Sequence, residues 1–291
     1  MILSTAQVPA GGWKPVTPAG EQAITAIAEQ PDRTLLCSDF DGTLAPIVDD
    51  PTQARIDPGA KAVFGELGGL VGQLAIVTGR EVAMARQLGG LDGASGLERL
   101  VLLGQYGQEQ WDAATDELVV PPAPQEVRQA LIDLQNLVAE PSEQNLRGVV
   151  LEDKGRAIGV HTRRAEDPAG AFAWLEEPVA RIAQQHGLVL EPGRNVIELR
   201  GSSITKGDGI DTLVERFRPS VVVMMGDDLG DLAAFARIKE LSAAGRLTGV
   251  CVVAGSDEQP LVAEQADVLC DGTEGVVAWM RALAEALGQE R

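Results

Sequence analysis

An α/β protein built on a parallel sheet with helices on both faces is what this sequence predicts, and three observations carry the expectation. Short unbroken apolar runs recur between stretches of helical periodicity: Thr34-Leu35-Leu36-Cys37-Ser38, Leu74-Ala75-Ile76-Val77, Val101-Leu102-Leu103, Val221-Val222-Val223-Met224-Met225 and Val250–Val253. Strands buried on both faces read as continuous apolar runs rather than alternating ones. Polar clusters rich in Asp, Thr and Gly follow the runs directly, at the strand ends where open α/β sheets place their ligands. In the middle of the chain the order changes to helix, strand, strand, helix, strand, strand, which predicts an inserted α+β unit.

In order, residues 1–20 carry Pro9, Gly11, Gly12 and Pro15 and read as a surface-wrapping lead-in. A helix from Glu21 to Gln30 stops at Pro31, and the strand over Thr34–Ser38 follows. Asp57 and Pro58 open a helix whose Val63, Phe64, Leu67 and Leu70 share a face. Thr78-Gly79-Arg80 closes the strand over Leu74–Val77 and starts another helix before the strand at Val101. Pro121, Pro122 and Pro124 form a linker after Trp111.

The insert begins with a helix carrying Val127, Ala130, Leu131, Leu134 and Val138. A hairpin follows, Val149–Leu151 and Ala157–Val160 about the turn Asp153-Lys154-Gly155-Arg156. Pro168 opens a second helix, and strands at Leu188–Leu190 and Val196–Leu199 join through Pro192-Gly193. The first pattern then resumes. Thr205 and Asp208 have capping-box spacing ahead of Ile210, Leu213, Val214 and Phe217. The next strand ends at Gly226-Asp227-Asp228, and a helix begins near Asp231. The domains expected are residues 1–112 with 203–291 as a Rossmann-like catalytic core, and 113–202 as an α+β cap.

The bulk numbers narrow the partners. Asp and Glu total 43 against 24 Lys and Arg, a net charge of −19 over 291 residues, which repels nucleic acid and acidic membranes. Three cysteines and two histidines without metal-ligand spacing argue against zinc and fit a reducing compartment. No apolar run approaches a membrane span, and the N-terminus lacks the charge and apolar pattern of a signal peptide, so a cytoplasmic monomer is the expectation.

The polar clusters are Asp39 with Asp41, Thr78, Lys206, and Asp227 with Asp228 and Asp231. Each alone has a plain structural explanation, as a helix cap, a turn or a solvated lysine. Together they assemble phosphoryl transfer. A carboxylate nucleophile and a phosphate repel, so a cation must lie between them. Mg2+ takes about six oxygens, and Asp39 and Asp227 would supply carboxylates with the Asp41 carbonyl as a third. Lys206 would neutralise phosphate and Thr78 would hydrogen-bond it.

The order Asp-x-Asp-Gly-Thr, strand-Thr-Gly-Arg, Lys, Gly-Asp-Asp resembles the haloacid dehalogenase superfamily of phosphatases. That resemblance implies that Asp39 becomes an aspartyl-phosphate, and that Asp41 protonates the leaving oxygen and then activates water. It implies a metal held at Asp39, Asp41, Asp227 and Asp228, with Gly79 and Arg80 beside the substrate.

The insert is similar to the cap of the trehalose-6-phosphate phosphatase family. Glu152-Asp153-Lys154 stands for the family's Glu-x-Lys, His161-Thr162-Arg163 for its His-Tyr-Arg, and Arg194 through Arg200 for its basic-to-Leu-Glu-x-Arg strand. By that resemblance the sugar contacts are Glu152, Lys154, Arg163, Arg194 and Glu198, and the substrate is a sugar phosphate, trehalose 6-phosphate. Alternation along a strand would also put His161 and Arg163 on one face. The chain departs from the family at Gln105-Tyr106-Gly107, at Leu229-Gly230-Asp231-Leu232 and at Thr162. Those departures leave open another sugar phosphate, such as sucrose 6-phosphate or a glycosyl-phosphoglycerate, and a sugar-phosphate-binding module without turnover.

Overall fold

The computed structural model describes residues 8–48, 50–139, 146–193, 195–255 and 260–289. The chain divides into two compact units, residues 1–120 with 204–291, and residues 121–203.

The first unit holds nine strands: β1 (Trp13–Pro15), β2 (Thr34–Ser38), β3 (Gln73–Val77), β4 (Val101–Gly104), β5 (Glu109–Asp112), β6 (Glu117–Val119), β11 (Val221–Gly226), β12 (Thr248–Gly255) and β13 (Val268–Asp271). Their order in the sheet is β1-β13-β12-β11-β2-β3-β4-β5-β6. The six central strands from β13 to β4 are parallel, and antiparallel strands close both edges. Around them lie α1 (Pro18–Glu29), α2 (Pro58–Gly68), α3 (Val82–Gly89), α6 (Lys206–Phe217), α7 (Leu232–Ala243), α8 (Pro260–Ala263) and α9 (Gly272–Gln289). Alternate residues of each central strand feed different cores, as the period of two requires. Leu36, Ile76, Leu102, Val223, Met225 and Val252 pack with Ile27, Phe64, Trp279 and Leu283 on one side. Leu35, Cys37, Val77, Leu103, Met224 and Val253 pack with Ile210, Leu213, Phe235 and Ile238 on the other. Both faces of each strand are therefore covered, which is why the sequence shows apolar runs there. Each fully buried aliphatic side chain contributes about 1.5–3 kcal/mol.

The second unit has the sheet order β7-β8-β10-β9, antiparallel throughout, from β7 (Val150–Asp153), β8 (Ala157–His161), β9 (Val189–Gly193) and β10 (Val196–Arg200). Helices α4 (Gln125–Ala139) and α5 (Pro168–His186) pack on one face through Val127, Leu134, Leu175 and Val179 against Ile158, Val160, Ile197 and Leu199. The opposite face carries Glu152, Gly159, His161, Glu198 and Arg200.

Three readings change. The lead-in contains β1, which pairs with β13, and α1 starts at Pro18 with Thr17 as its cap, three residues before the expected Glu21. The expected break at 112/113 falls inside the β5–β6 hairpin, whose pairing of Asp112 with Glu117 ties residues 113–120 to the first unit. Beyond β12 the chain adds α8, β13 and α9, for which no expectation was formed.

Buried Asp267 fastens the N-terminal segment. Its carboxylate accepts the Thr17 hydroxyl at 2.6 Å and the Cys251 N–H at 2.9 Å. Asp267→Ala strands both donors, so urea unfolding should show a loss of about 1–3 kcal/mol; a loss below about 0.5 kcal/mol would mean that water satisfies these donors equally well.

Candidate active site

Every core residue singled out in the sequence lies at the carboxyl ends of β2, β3 and β11 or at the start of α6. Asp39 follows β2, and its N–H donates to the Met225 carbonyl at the end of β11 (2.8 Å), so the two acidic loops are locked side by side. Between them Gly42 turns at φ +72°, and a Cβ there would stand 2.0 Å from Asp227 Oδ2. Only glycine brings the Asp39 loop this close to Asp227. Buried Thr43 adds a hydroxyl that donates to Asp227 Oδ1 at 3.1 Å.

Lys206 opens α6, where a cation lies against the positive end of the helix. That is the wrong sign for helix stability, and its partners explain it. Its ammonium is 2.9 Å from Asp39 Oδ1, 2.7 Å from Asp231 Oδ1 and 4.0 Å from Asp228 Oδ1. Both Asp39 and Lys206 are buried. Asp208 stabilises the helix start from outside, accepting the Thr205 N–H at 2.8 Å and its hydroxyl at 2.7 Å. These hydrogen bonds hold its carboxyl below the usual range.

Asp231, which the sequence groups with Asp227 and Asp228 without giving it a role, has one in the structure. It is fully buried. Its Oδ1 takes Lys206, and its Oδ2 accepts the N–H groups of Asp227 and Asp228 at 2.9 and 3.1 Å. The Gly226-Asp227-Asp228 turn is thus pinned by the same carboxylate that aims the lysine.

Burial pushes the Asp39 carboxyl well above its usual range; Lys206 opposes that shift, and Asp231, Asp228 and Asp227 add to it. Asp227 rises to about 8 for the same reason, burial first and then Asp231 and Asp228. Asp231 rises to about 6, with burial countered chiefly by Lys206. Burial opposes the charge on Lys206, yet Asp231, Asp39 and Asp228 together hold it well above the ordinary lysine value. Four carboxylates around one ammonium leave a negative excess in a low-dielectric pocket. Oxygens of Asp39, Asp228 and Asp231 lie within 4.8 Å of one another, a set able to hold a metal ion. A donor set made only of carboxylate oxygens suits a hard divalent cation. Asp227 is turned toward Gly42 and Thr43, and Asp231 is committed to Lys206 and two N–H groups, so the nearest-oxygen set differs from the expected one in containing Asp231.

Asp41 and Arg80 form one unit. Arg80 Nε and Nη2 reach Asp41 Oδ2 and Oδ1, both at 2.6 Å, and Nη2 also donates to the Pro51 carbonyl at 2.9 Å. Both oxygens of Asp41 are thereby engaged, and Arg80, expected beside the substrate, is held by Asp41 and Pro51. Thr78 is buried, and its Oγ accepts the Arg80 N–H at 3.1 Å. After β4, Gln105 and Tyr106 both take left-handed backbone, φ +48° and +64°. Such strain concentrates at functional sites. The Tyr106 hydroxyl would lie 2.9 Å from a Cβ on Gly79, so the only tyrosine in the chain covers the Thr-Gly-Arg turn. The departure from the family pattern at Gln105-Tyr106-Gly107 was the sequence signal for it.

In the second unit, Lys154 Nζ is 2.5 Å from Glu198 Oε2 and 3.8 Å from Glu152 Oε2. Glu152, Lys154 and Glu198 therefore come together. Arg163 does not follow the expected alternation: β8 ends at His161, and Arg163 is exposed in the turn beyond it. Thr162 is fully buried and bonds the Asn195 carbonyl, its N–H at 2.9 Å and its hydroxyl at 3.3 Å. Arg194 lies outside the described residues. Among the described residues, no helix is long and apolar enough to cross a membrane.

Comparison with known proteins fits this geometry. The family model described as trehalose-phosphatase matches residues 37–266. The chain is 28% identical over 256 residues to the trehalose-6-phosphate phosphatase of Escherichia coli K12, covering 87% of each. It is 32% identical over 209 residues to the trehalose-phosphate phosphatase of Mycobacterium tuberculosis H37Rv, 68% of this chain and 49% of that one. The solved C-terminal domain of Candida albicans trehalose-6-phosphate phosphatase superposes with a TM-score of 0.73 at 22% identity, covering 93% of this chain and 98% of that domain, a likeness of fold. With 230 consecutive residues under one family model, the chain belongs to the trehalose-phosphatase family and is a phosphatase with the haloacid dehalogenase fold.

Proposed function

We propose that the protein hydrolyses trehalose 6-phosphate to trehalose and phosphate, with Asp39 as nucleophile. The observation that supports this most is the buried contact of Lys206 with Asp39 at 2.9 Å, backed by Asp231. An ammonium there favours the ionised carboxylate that attack requires and awaits the phosphate oxygens. Asp39 attacks phosphorus as the bond to the sugar oxygen breaks, and Thr78 and Lys206 hold the non-bridging oxygens. Asp41 passes a proton to the departing sugar oxygen, then takes one from the water that displaces phosphate from Asp39. Both Asp41 oxygens are held by Arg80, so one of those bonds must open before a proton can be carried there. Mg2+, held by Asp39 and Asp228 with Asp227 and the Asp41 carbonyl, would supply charge neutralisation between nucleophile and phosphate. The first unit carries this phosphate chemistry, and the second, with Glu152, Lys154 and Glu198 and with Arg163 and Arg194 from the resemblance, selects the sugar.

A panel of trehalose 6-phosphate, sucrose 6-phosphate and a glycosyl-phosphoglycerate tests the substrate: trehalose 6-phosphate should give the highest kcat/KM, and a better rival would replace it. Binding without phosphate release in Mg2+ would make the protein a sensor.

Asp39→Asn should lower kcat at least about a thousandfold with the circular dichroism spectrum intact; near-normal turnover would sink the nucleophile assignment. Arg80→Lys keeps the charge but not the two-toothed grip. It should lower kcat about tenfold with a smaller change in KM, whereas a rise in KM alone would return Arg80 to substrate binding.

Chelation should abolish turnover and Mg2+ restore it. The raised carboxyl pKa values also set a sign. Without a cation, the stability tied to the protonated cluster is full below the ordinary carboxyl value and is lost as pH rises through about 6 at Asp231 and about 8 at Asp227. Mg2+ competes with those protons, so it should raise Tm more at pH 8 than at pH 5. An equal rise at both would show that the cation binds elsewhere.

A further inference from the structure

The face of the second unit's sheet away from its helices has a glycine at its centre. Glu152 on β7 and Glu198 on β10 both stand in register with Gly159 on the intervening β8. Two carboxylates therefore flank a residue with no side chain, and Glu191 on β9 extends the row opposite Glu198. Like charges directly opposite across strands are unfavourable, and glycine inside a strand costs about 0.5–1 kcal/mol relative to alanine. Each carboxylate is answered by a base: His161 Nε2 at 2.8 Å from Glu152, Lys154 at 2.5 Å from Glu198, and Arg200 at 2.6 Å from Glu191.

The glycine is not demanded by the backbone, because its φ lies outside the left-handed region. What it does is spatial. A Cβ at residue 159 would stand 2.7 Å from His161 Nε2 and 3.3 Å from Glu152 Oε2. His161 lies two residues further along the same face, and its imidazole reaches Glu152 through the space that a side chain at 159 would fill. Glycine in a strand often marks a close approach by another group. Here that group is the His161 imidazole, which lies over the buried Gly159 and reaches Glu152. Carboxylates accept hydrogen bonds from hydroxyls, and the bases beside Glu152 and Glu198 orient them.

The geometry points to His161 as the positioning residue that holds Glu152 for the sugar, and to Gly159 as the specificity-determining residue that gives the His161 imidazole the room to do so; this rests on the sugar-phosphate reading above. The test measures Gly159→Ala, His161→Ala and His161→Gln on trehalose 6-phosphate and on p-nitrophenyl phosphate, whose leaving group has no sugar hydroxyls. Gly159→Ala should lower the ratio of kcat/KM for trehalose 6-phosphate to that for the aryl phosphate about tenfold, the loss falling on KM. Its Tm should hold or rise, since alanine suits a strand better than glycine does. His161→Ala should show the same loss, and His161→Gln, whose amide can still donate to Glu152, should recover most of it.

An unchanged ratio in Gly159→Ala would overturn the assignment, as would a fall in Tm with equal loss on both substrates. His161→Gln no better than His161→Ala would remove the positioning role. A wild-type enzyme that turns over the aryl phosphate but not trehalose 6-phosphate would refute the substrate reading itself, and this assignment with it.

Discussion

The contact on which the first unit depends is the buried triad Asp39–Lys206–Asp231. An ammonium and two carboxylates are taken out of water together, which is unfavourable unless each charge is answered. Lys206 is answered at 2.9 and 2.7 Å by Asp39 and Asp231. Asp231 is answered again by two N–H groups of the 227–228 turn. The arrangement determines much of the local architecture. α6 must begin at Lys206, the β11 loop must double back onto Asp231, and Gly42 must leave room for Asp227. Apolar residues in these places would make a more stable protein. The negative excess that remains suits a cation, and in the proposed mechanism that cation together with Lys206 would offset the charge of the phosphate.

The central fold was legible because burial on both sheet faces leaves a mark that needs no partner to be known. The strand Thr34–Ser38 matches its apolar run residue for residue, and the capping pair Thr205–Asp208 forms as its spacing implies. The N-terminal strand was not legible: three residues ending in proline carry no periodicity, and β1 exists because β13 offers it an edge. The site shows the same division. Asp39, Thr78 and Asp227 declare themselves by standing at strand ends, and Lys206 by opening a helix. Asp231 was visible in the acidic cluster but its role was not, because a carboxylate at a helix start has an ordinary local explanation, and only its burial beside Lys206 reveals the second use.

The pairing of Arg80 with Asp41 was illegible for another reason. The two are 39 residues apart, and the Thr-Gly-Arg motif fixes only that Arg80 stands at the end of β3. Which way its side chain turns depends on the parallel pairing of β2 with β3, which sets the two strand ends side by side. In the second unit, likewise, alternation failed for Arg163 because β8 stops at His161; periodicity applies only as far as the strand extends.

Both units place charge where stability alone would not. The first buries a lysine at the wrong end of a helix, and the second sets carboxylates in one row beside a glycine. In each, a base at 2.5–2.9 Å stabilises the carboxylates. The difference lies in the surroundings. The triad sits in a low-dielectric pocket, where an unanswered charge is costly and where, in the proposed function, a dianionic phosphate with its cation would be strongly held. The row on β7, β8 and β10 is partly open to water, where single hydrogen bonds are individually weak, so the sugar of the proposed substrate would be held by their number and geometry. The phosphate chemistry should therefore tolerate little change at Asp39, Lys206 or Asp231, whereas selectivity for the sugar can drift through small changes such as a single methyl group at residue 159. On this view the departure from the family pattern at Tyr106, over the Gly79 turn, would bear on recognition while the triad stays fixed, whereas that at Thr162 is buried and spent on the Asn195 carbonyl.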